Sequence, residues 1–129
     1  MDVISTPLAE AVIGAAIDVH KALGPGLLET PYRRCLQHEL TSRGIKFEAE
    51  VPRPLFYKGV TIDCTYRIDL LVENTLVVEI KTVEHLLPVH SAQVLTYLRL
   101  LRLRQGLLFN FHVAQLIQGL KSILNPSAE

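Results

Sequence analysis

The sequence predicts an α/β fold with elements in the order ααβββαβ, a sandwich of helices and strands built around one sheet. Three observations carry that prediction. Hydrophobic residues recur at three- and four-residue steps near the N-terminus, alternate with period two through the middle, and then fill a Leu- and Val-rich helical stretch that leads into a short apolar run. The composition agrees: of 129 residues, 49% are hydrophobic and 20% charged, which can fill a core and does not describe a disordered chain. A chain of this length is expected to form one domain over residues 1–129.

Pro7–Leu23 is predicted as the first helix. Leu8, Val12, Ala15, Val19 and Leu23 recur at helical steps, Thr6 can cap the start, and Pro7 suits the first turn. Gly24-Pro25-Gly26 stops it. A second helix is expected over residues 29–43, with Leu36 and Leu40 on one side and Gly44 as its stop. Period two begins at Phe47–Tyr57, whose Pro52 and Pro54 cannot donate to a ladder and so mark an edge or bulged strand. Lys58-Gly59 turns the chain into Val60–Val72, and Leu76–Lys81 follows Glu73-Asn74-Thr75. A third helix is expected over residues 89–103. Residues 106–111 read as a buried strand, and the segment through Leu124 fits a short helix or a strand equally.

Several function classes fall away. Thirteen basic and thirteen acidic side chains leave no formal net charge, which argues against a nonspecific coat on nucleic acid while leaving room for a local basic groove. The longest stretch free of Asp, Glu, Lys and Arg, residues 105–120, is broken by Asn110, His112, Gln115 and Gln118 and makes a poor membrane span. The opening MDVISTPLAE lacks the basic and apolar regions of a secretion signal. Cys35 and Cys64 stand far apart with no CxxC pattern, so neither a zinc site nor a disulfide framework is expected. Both thiols are expected to pack as small apolar groups, in a reducing cytoplasm. Phosphate-loop, dinucleotide-binding, nucleophile-elbow and zinc-protease motifs are absent.

The hairpin around Asn74 holds the residues that could carry chemistry. Tyr66, Ile68, Leu70 and Val72 on one strand and Leu76, Val78 and Ile80 on the next are all even-numbered, and paired residues of an antiparallel ladder share a face. A two-residue Asn74-Thr75 loop would bury the wrong set. A Glu73-Asn74-Thr75 loop pairs Val72 with Leu76, setting Asp69 opposite Glu79 and Arg67 opposite Lys81. Two carboxylates about 5 Å apart at an effective dielectric of about 20 repel by roughly 3 kcal/mol. Lys81 offsets part of that, and a hard divalent cation would remove it. A solvated charged face is the competing reading. Against it, Leu71 and Val77 share the face of Asp69 and Glu79, and mid-strand charges need partners.

His90, Gln93 and Tyr97 share a stripe of the third helix, where they either meet solvent or bond a phosphate or carboxylate on the sheet. Arg99, Arg102 and Arg104 at its end suit either the helix dipole or a nucleic-acid backbone. Glu29 is either a carboxylate stabilised at a helix start or a third acidic ligand aimed at the hairpin. His20, on the side of the first helix with Ile13, Ala16 and Ile17, fits a packed histidine better than a ligand.

At these residues the chain resembles a known family. Asp69, then Glu79-Ile80-Lys81, resembles the D…ExK signature of the PD-(D/E)XK nuclease superfamily. Gln93-Val94-Leu95-Thr96-Tyr97 is similar to the QxxxY element of its RecB-like exonuclease branch, and Gly26-Leu27-Leu28-Glu29-Thr30-Pro31-Tyr32 to the motif that names its GxxExxY family. The likeness runs from about Ile13 to Ile123, with Ile68 in place of the signature's proline. It implies a restriction-endonuclease-like core, a central mixed sheet flanked by helices. It implies Mg²⁺ or Mn²⁺ held by Asp69, Glu79, the Ile80 carbonyl and Glu29, and Lys81 orienting or activating the attacking water. Gln93 and Tyr97 would position the strand or brace the site. The implied reaction is metal-assisted hydrolysis of phosphodiester bonds in nucleic acid, DNA foremost, leaving a 5′-phosphate. Arg99, Arg102, His20, Tyr32 and His90 are the candidates for contacting substrate, and the Leu-rich third helix leaves room for a homodimer. No membrane partner is expected. A catalytically silent module on the same fold, binding nucleic acid or a protein, is the alternative. A glycoside hydrolase using the carboxylate pair is a third reading, disfavoured by Lys81 and by the lack of Trp.

Overall fold

The computed structural model describes residues 6–128, without the side chains of residues 63–65. The first helix, α1, covers Pro7–Leu23: Thr6 Oγ1 accepts the Ala9 N–H at 3.0 Å, and Gly24 at φ 68° ends it. The second, α2, covers Glu29–Ser42 and stops one residue short of expectation because Arg43 already leaves helical geometry. Its buried stripe is Tyr32, Leu36 and Leu40. That stripe corrects one expectation: Cys35, rotated about 100° from Leu36 on the helix, is exposed rather than packed. The Cys64 side chain lies outside the described residues.

The strands are β1 (Phe47–Tyr57), β2 (Val60–Val72), β3 (Leu76–Lys81), β4 (Gln105–Asn110) and β5 (Leu120–Leu124), forming one sheet in that spatial order. The two prolines have the consequence expected of them: β1 is an edge strand, and its register slips between Pro54 and Leu55. β2 and β3 pair antiparallel in the predicted register, Val72 with Leu76, Leu71 with Val77 and Leu70 with Val78. The third helix, α3 (Pro88–Leu101), carries the chain across to β4, which lies parallel to β3. It ends two residues before the periodicity implies because Arg102 takes the left-handed conformation, φ 57° and ψ 40°. The C-terminal segment contains both alternatives, a 3₁₀ turn over Leu116–Gly119 and then β5 antiparallel to β4.

The result is a mixed sheet with helices on both faces, the arrangement of a restriction-endonuclease-like core. Leu70, Val72, Val78, Ile80 and Phe109 pack toward α1 and α2. Leu71, Val77 and Leu108 pack toward Val94, Tyr97 and Leu98 of α3. Gly106 lets that helix settle on the sheet, since a Cβ there would stand 2.6 Å from Val94 Cγ1. No helix among the described residues is long and apolar enough to cross a membrane.

Candidate active site

The ladder between β2 and β3 stops at Leu70 and Val78. Asp69 and Glu79 would be the next pair, and here side chains take over from the backbone. Glu79 Oε1 accepts the Asp69 N–H at 3.0 Å, and Asp69 Oδ2 accepts the Ile80 N–H at 2.8 Å. Each carboxyl thus caps an amide of the opposite strand, and the two groups meet at the fork. The expected pairing of Arg67 with Lys81 is not made. Arg67 pairs with Pro52 of β1 instead, and its guanidinium meets Glu50 at 3.1 Å.

Glu79 is 3% exposed. Burial is the largest influence on its carboxyl, which it pushes from 4.5 up to about 8; the Asp69 charge acts in the same direction. A hydrogen bond between the two carboxyl groups also raises it, while the Asp69 backbone N–H and the Lys81 charge lower it. Burial and the neighbouring carboxylate thus both disfavour the charged form of Glu79. The solvated-face reading of the hairpin does not survive this burial.

Two residues of α3 close over the pair. Burial raises the Tyr97 phenol above its ordinary value, the nearby charges of Glu79 and Asp69 add to this, and a hydrogen bond from Gln93 opposes it. The Tyr97 ring stacks on Tyr66, centroids 4.9 Å apart and planes 13° from parallel. Burial likewise raises the Tyr66 phenol, with the Arg53 charge opposing it. Lys81, the last residue of β3, opens onto a groove of about 520 Å³ that it shares with Val89, His90, Ala92, Gln93 and Thr96. His90 Nδ1 accepts the Leu87 N–H at 2.9 Å, which anchors the start of α3 at the groove wall.

Other predicted residues stand apart. Glu29 is exposed in the first turn of α2, and among the described residues no three of His, Cys, Asp and Glu come together as a metal-holding group. The predicted convergence of three acids is thus a convergence of two. The reason is the layer from which each arises: α2 packs through Tyr32 into the face toward α1, whereas Asp69 and Glu79 approach Tyr97 of α3. Tyr32 is fully buried and stacks on Phe111 at 4.4 Å. Its hydroxyl donates to the Gly24 carbonyl and accepts the Leu27 N–H, which holds the glycine loop. His20 is 5% exposed, with Nε2 2.9 Å from the Val113 carbonyl and 3.2 Å from that of Phe111. Both side chains are thus held by backbone partners, and His20 also lines a cavity of about 440 Å³ with Ile17, Lys21 and Leu116. Arg99 and Arg102 lie at the far end of α3 from Lys81.

The sequence reasoning missed Asn110. It is 2% exposed at the end of β4. Its Oδ1 accepts the N–H groups of Val83 and His112, and its Nδ2 donates to the Val83 carbonyl at 2.8 Å. The chain leaving Lys81 is thereby fixed in place. The available signal was an amide side chain closing an otherwise apolar run, Gly106–Phe109.

Comparison with known proteins places the fold and the family. No curated protein matches the chain. The crystal structure of SSO0001 is similar, with a TM-score of 0.58 and 25% identity over 76% of this chain and 50% of that one, so the chain spans half the length of that structure. The family model described as the PD-(D/E)XK nuclease superfamily matches residues 6–123. Those residues include the carboxylate fork, Lys81 and the α3 residues above it, and the chain belongs to the PD-(D/E)XK nuclease superfamily.

Proposed function

We propose that this chain is a divalent-cation-dependent nuclease that hydrolyses phosphodiester bonds, with DNA as its substrate. The observation that carries the reading is the pairing of buried Glu79 with half-buried Asp69, with Lys81 beside them at the mouth of a groove. The donor set fits the cation. Two carboxyls forced together hold a shared proton that a doubly charged ion can replace, and hard oxygens are what Mg²⁺ and Mn²⁺ take. Asp69, Glu79 and the Ile80 carbonyl would hold it. When bound, the ion lowers the pKa of the attacking water and stabilises charge on the phosphate.

The remaining work falls to the chain itself. The Lys81 ammonium orients the attacking water and balances phosphate charge. Gln93 bonds the Tyr97 hydroxyl, and Tyr97 lies close enough to Glu79 to feel its charge. The 520 Å³ groove beside Lys81 receives the strand. Asn110 acts as a positioning residue for Lys81. The same reading takes residues 1–129 as one nuclease-like domain acting in the cytoplasm, with GxxExxY and the RecB-like branch as its place within the superfamily.

The experiment is a pair of measurements. Millimolar Mg²⁺ or Mn²⁺ raises the melting temperature of the wild type and not of Asp69→Asn, because ligand binding to the folded state alone stabilises it. Cleavage of single-stranded, duplex or branched DNA is lost in Lys81→Ala. A wild type that neither gains stability with metal nor cuts DNA would instead be the silent module, a reading favoured by the presence of two acids and not three.

A further inference from the structure

At the end of α3 opposite Lys81 there is a second cavity, of about 430 Å³, lined by Arg99, Arg102, Asn125, Ser127 and Ala128. We infer that Arg99 and Arg102 bind a backbone phosphate of the DNA strand being cut, a few nucleotides from the bond at the carboxylate fork. The inference rests on the nuclease reading for the identity of the strand, and on separate observations for the site.

The first observation is charge. Between Glu84 and Glu129 the sequence has no acidic residue and four basic ones, Arg99, Arg102, Arg104 and Lys121. A chain with no net charge overall has gathered positive charge on the end of α3, the turn after it and β5. Neither arginine of the cavity has an ion pair among the described residues, while Arg33, Arg43 and Arg67 do. Among the described residues no carboxylate lines the cavity, and an anion between the two guanidiniums would offset their mutual repulsion. One cation would suffice to complement the helix dipole.

The second is the backbone. Arg102 sits in the left-handed region at φ 57°, where a helix end ordinarily takes glycine. The third is the floor. Asn125 is 3% exposed, donates Nδ2–H to the Leu103 carbonyl at 3.1 Å, and accepts both the N–H and the hydroxyl of Ser127 on Oδ1. Its own N–H is bonded to the Arg104 carbonyl at 2.8 Å. The turn under the arginines is therefore tied to the strand approach rather than loose.

The spacing suits a strand. Six to nine helical residues separate Gln93 from Arg99 and Arg102, roughly 9–13 Å at about 1.5 Å per residue. At about 3.4 Å of axial rise per phosphate this is roughly three to four nucleotides. Ala92, Thr96 and Arg99, at steps of four and three, form an exposed path along the helix between the two cavities.

The test measures binding, with EDTA present so that cutting is irrelevant. Fluorescence anisotropy of a labelled sixteen-nucleotide thymidine oligomer is followed against salt for wild type, Arg99→Ala, Arg102→Gly and the double variant. Arg102→Gly keeps the left-handed turn and removes the charge, and unchanged melting temperatures certify folding. Each lost phosphate contact reduces the slope of log affinity against log salt by about 0.7. Between 50 and 200 mM salt the wild type is then expected to lose about sevenfold more affinity than the double variant. Lys58→Ala, at the distant β1–β2 turn, is expected to leave the slope unchanged. An unchanged slope in the folded double variant overturns the site, as does an equal loss in Lys58→Ala. A slope that falls as expected in a protein that never cuts DNA would retain the site and remove the nuclease reading; cutting with an unchanged slope would do the reverse.

Discussion

Replacing Glu79 by Gln changes how the stability of this protein depends on pH. In the unfolded chain a glutamate carboxyl titrates near 4.5, and in the fold burial beside Asp69 raises Glu79 to about 8. Between those values the folded state holds a proton that the unfolded state has released. The stability contributed by Glu79 is thus fully present below pH 4.5, declines as pH rises, and is gone above about 8. At about 1.4 kcal/mol per pKa unit, the contribution is on the order of a few kcal/mol. That is large against the 5–15 kcal/mol typical of whole domains. Glu79→Gln keeps an oxygen that can accept the Asp69 N–H and carries no titrating proton, so its profile should be flat over the same window. Urea unfolding in EDTA at pH 5.5, 7 and 8.5 measures both. Wild type should lose several kcal/mol across the series, Glu79→Gln should lose little, and Mg²⁺ at pH 8.5 should restore only the wild type. Parallel profiles for the two proteins would refute the buried, proton-holding pair.

Three further outcomes follow from packing and hydrogen bonding. Gly106→Ala should cost about 1–3 kcal/mol by overpacking against Val94 Cγ1, and Val94→Ala in the same chain should recover about 1 kcal/mol of it in a double-mutant cycle read by denaturant unfolding. Asn110→Ala strands the Val83 N–H and carbonyl, so it should cost about 3 kcal/mol and lower cleavage at temperatures where the variant remains folded. Tyr32→Phe keeps the stack on Phe111 and loses the two hydroxyl bonds to the glycine loop, a loss of about 1–2 kcal/mol that urea unfolding measures.

Legibility in the sequence followed the physics of each element. Local rules decide where helices begin and strands turn, so Thr6, Pro7, Gly24 and the Glu73-Asn74-Thr75 loop were readable, as was the β2–β3 register through Leu70 and Val78. Pro52 and Pro54 marked the edge strand and its slip because a missing N–H has only one structural outlet. What the sequence could not provide is the layer to which a remote residue belongs. Glu29 stands at a spacing that fits a metal ligand, and only the packing of Tyr32 against Phe111 places its helix on the face opposite Tyr97. The end of the β2–β3 ladder was hidden for a similar reason. Alternation extends the pairing to Arg67 and Lys81, but it does not register that side chains can replace backbone bonds at the fork. Asn110 was overlooked because its partners, Val83 and His112, are set by the loop after β3 and not by periodicity.

Under the proposed nuclease reading, the fork would let two acids serve where three were expected. Each carboxyl uses one named oxygen for the opposite strand, Glu79 Oε1 for the Asp69 N–H and Asp69 Oδ2 for the Ile80 N–H. A carboxylate has two oxygens, so both groups can keep those bonds while turning their second oxygen to a shared ion. On the proposed reading, a cation held by Asp69 and Glu79 would take the place of a proton while the two backbone bonds remain. The side chains are held before the ion arrives, which is the condition under which electrostatic stabilisation of a reacting phosphate is most effective. Lys81 benefits from the same constraint. Its carbonyl is bonded to the Phe111 N–H at 2.9 Å, and Asn110 holds the next turn of chain, so the ammonium extends from a fixed backbone toward the groove.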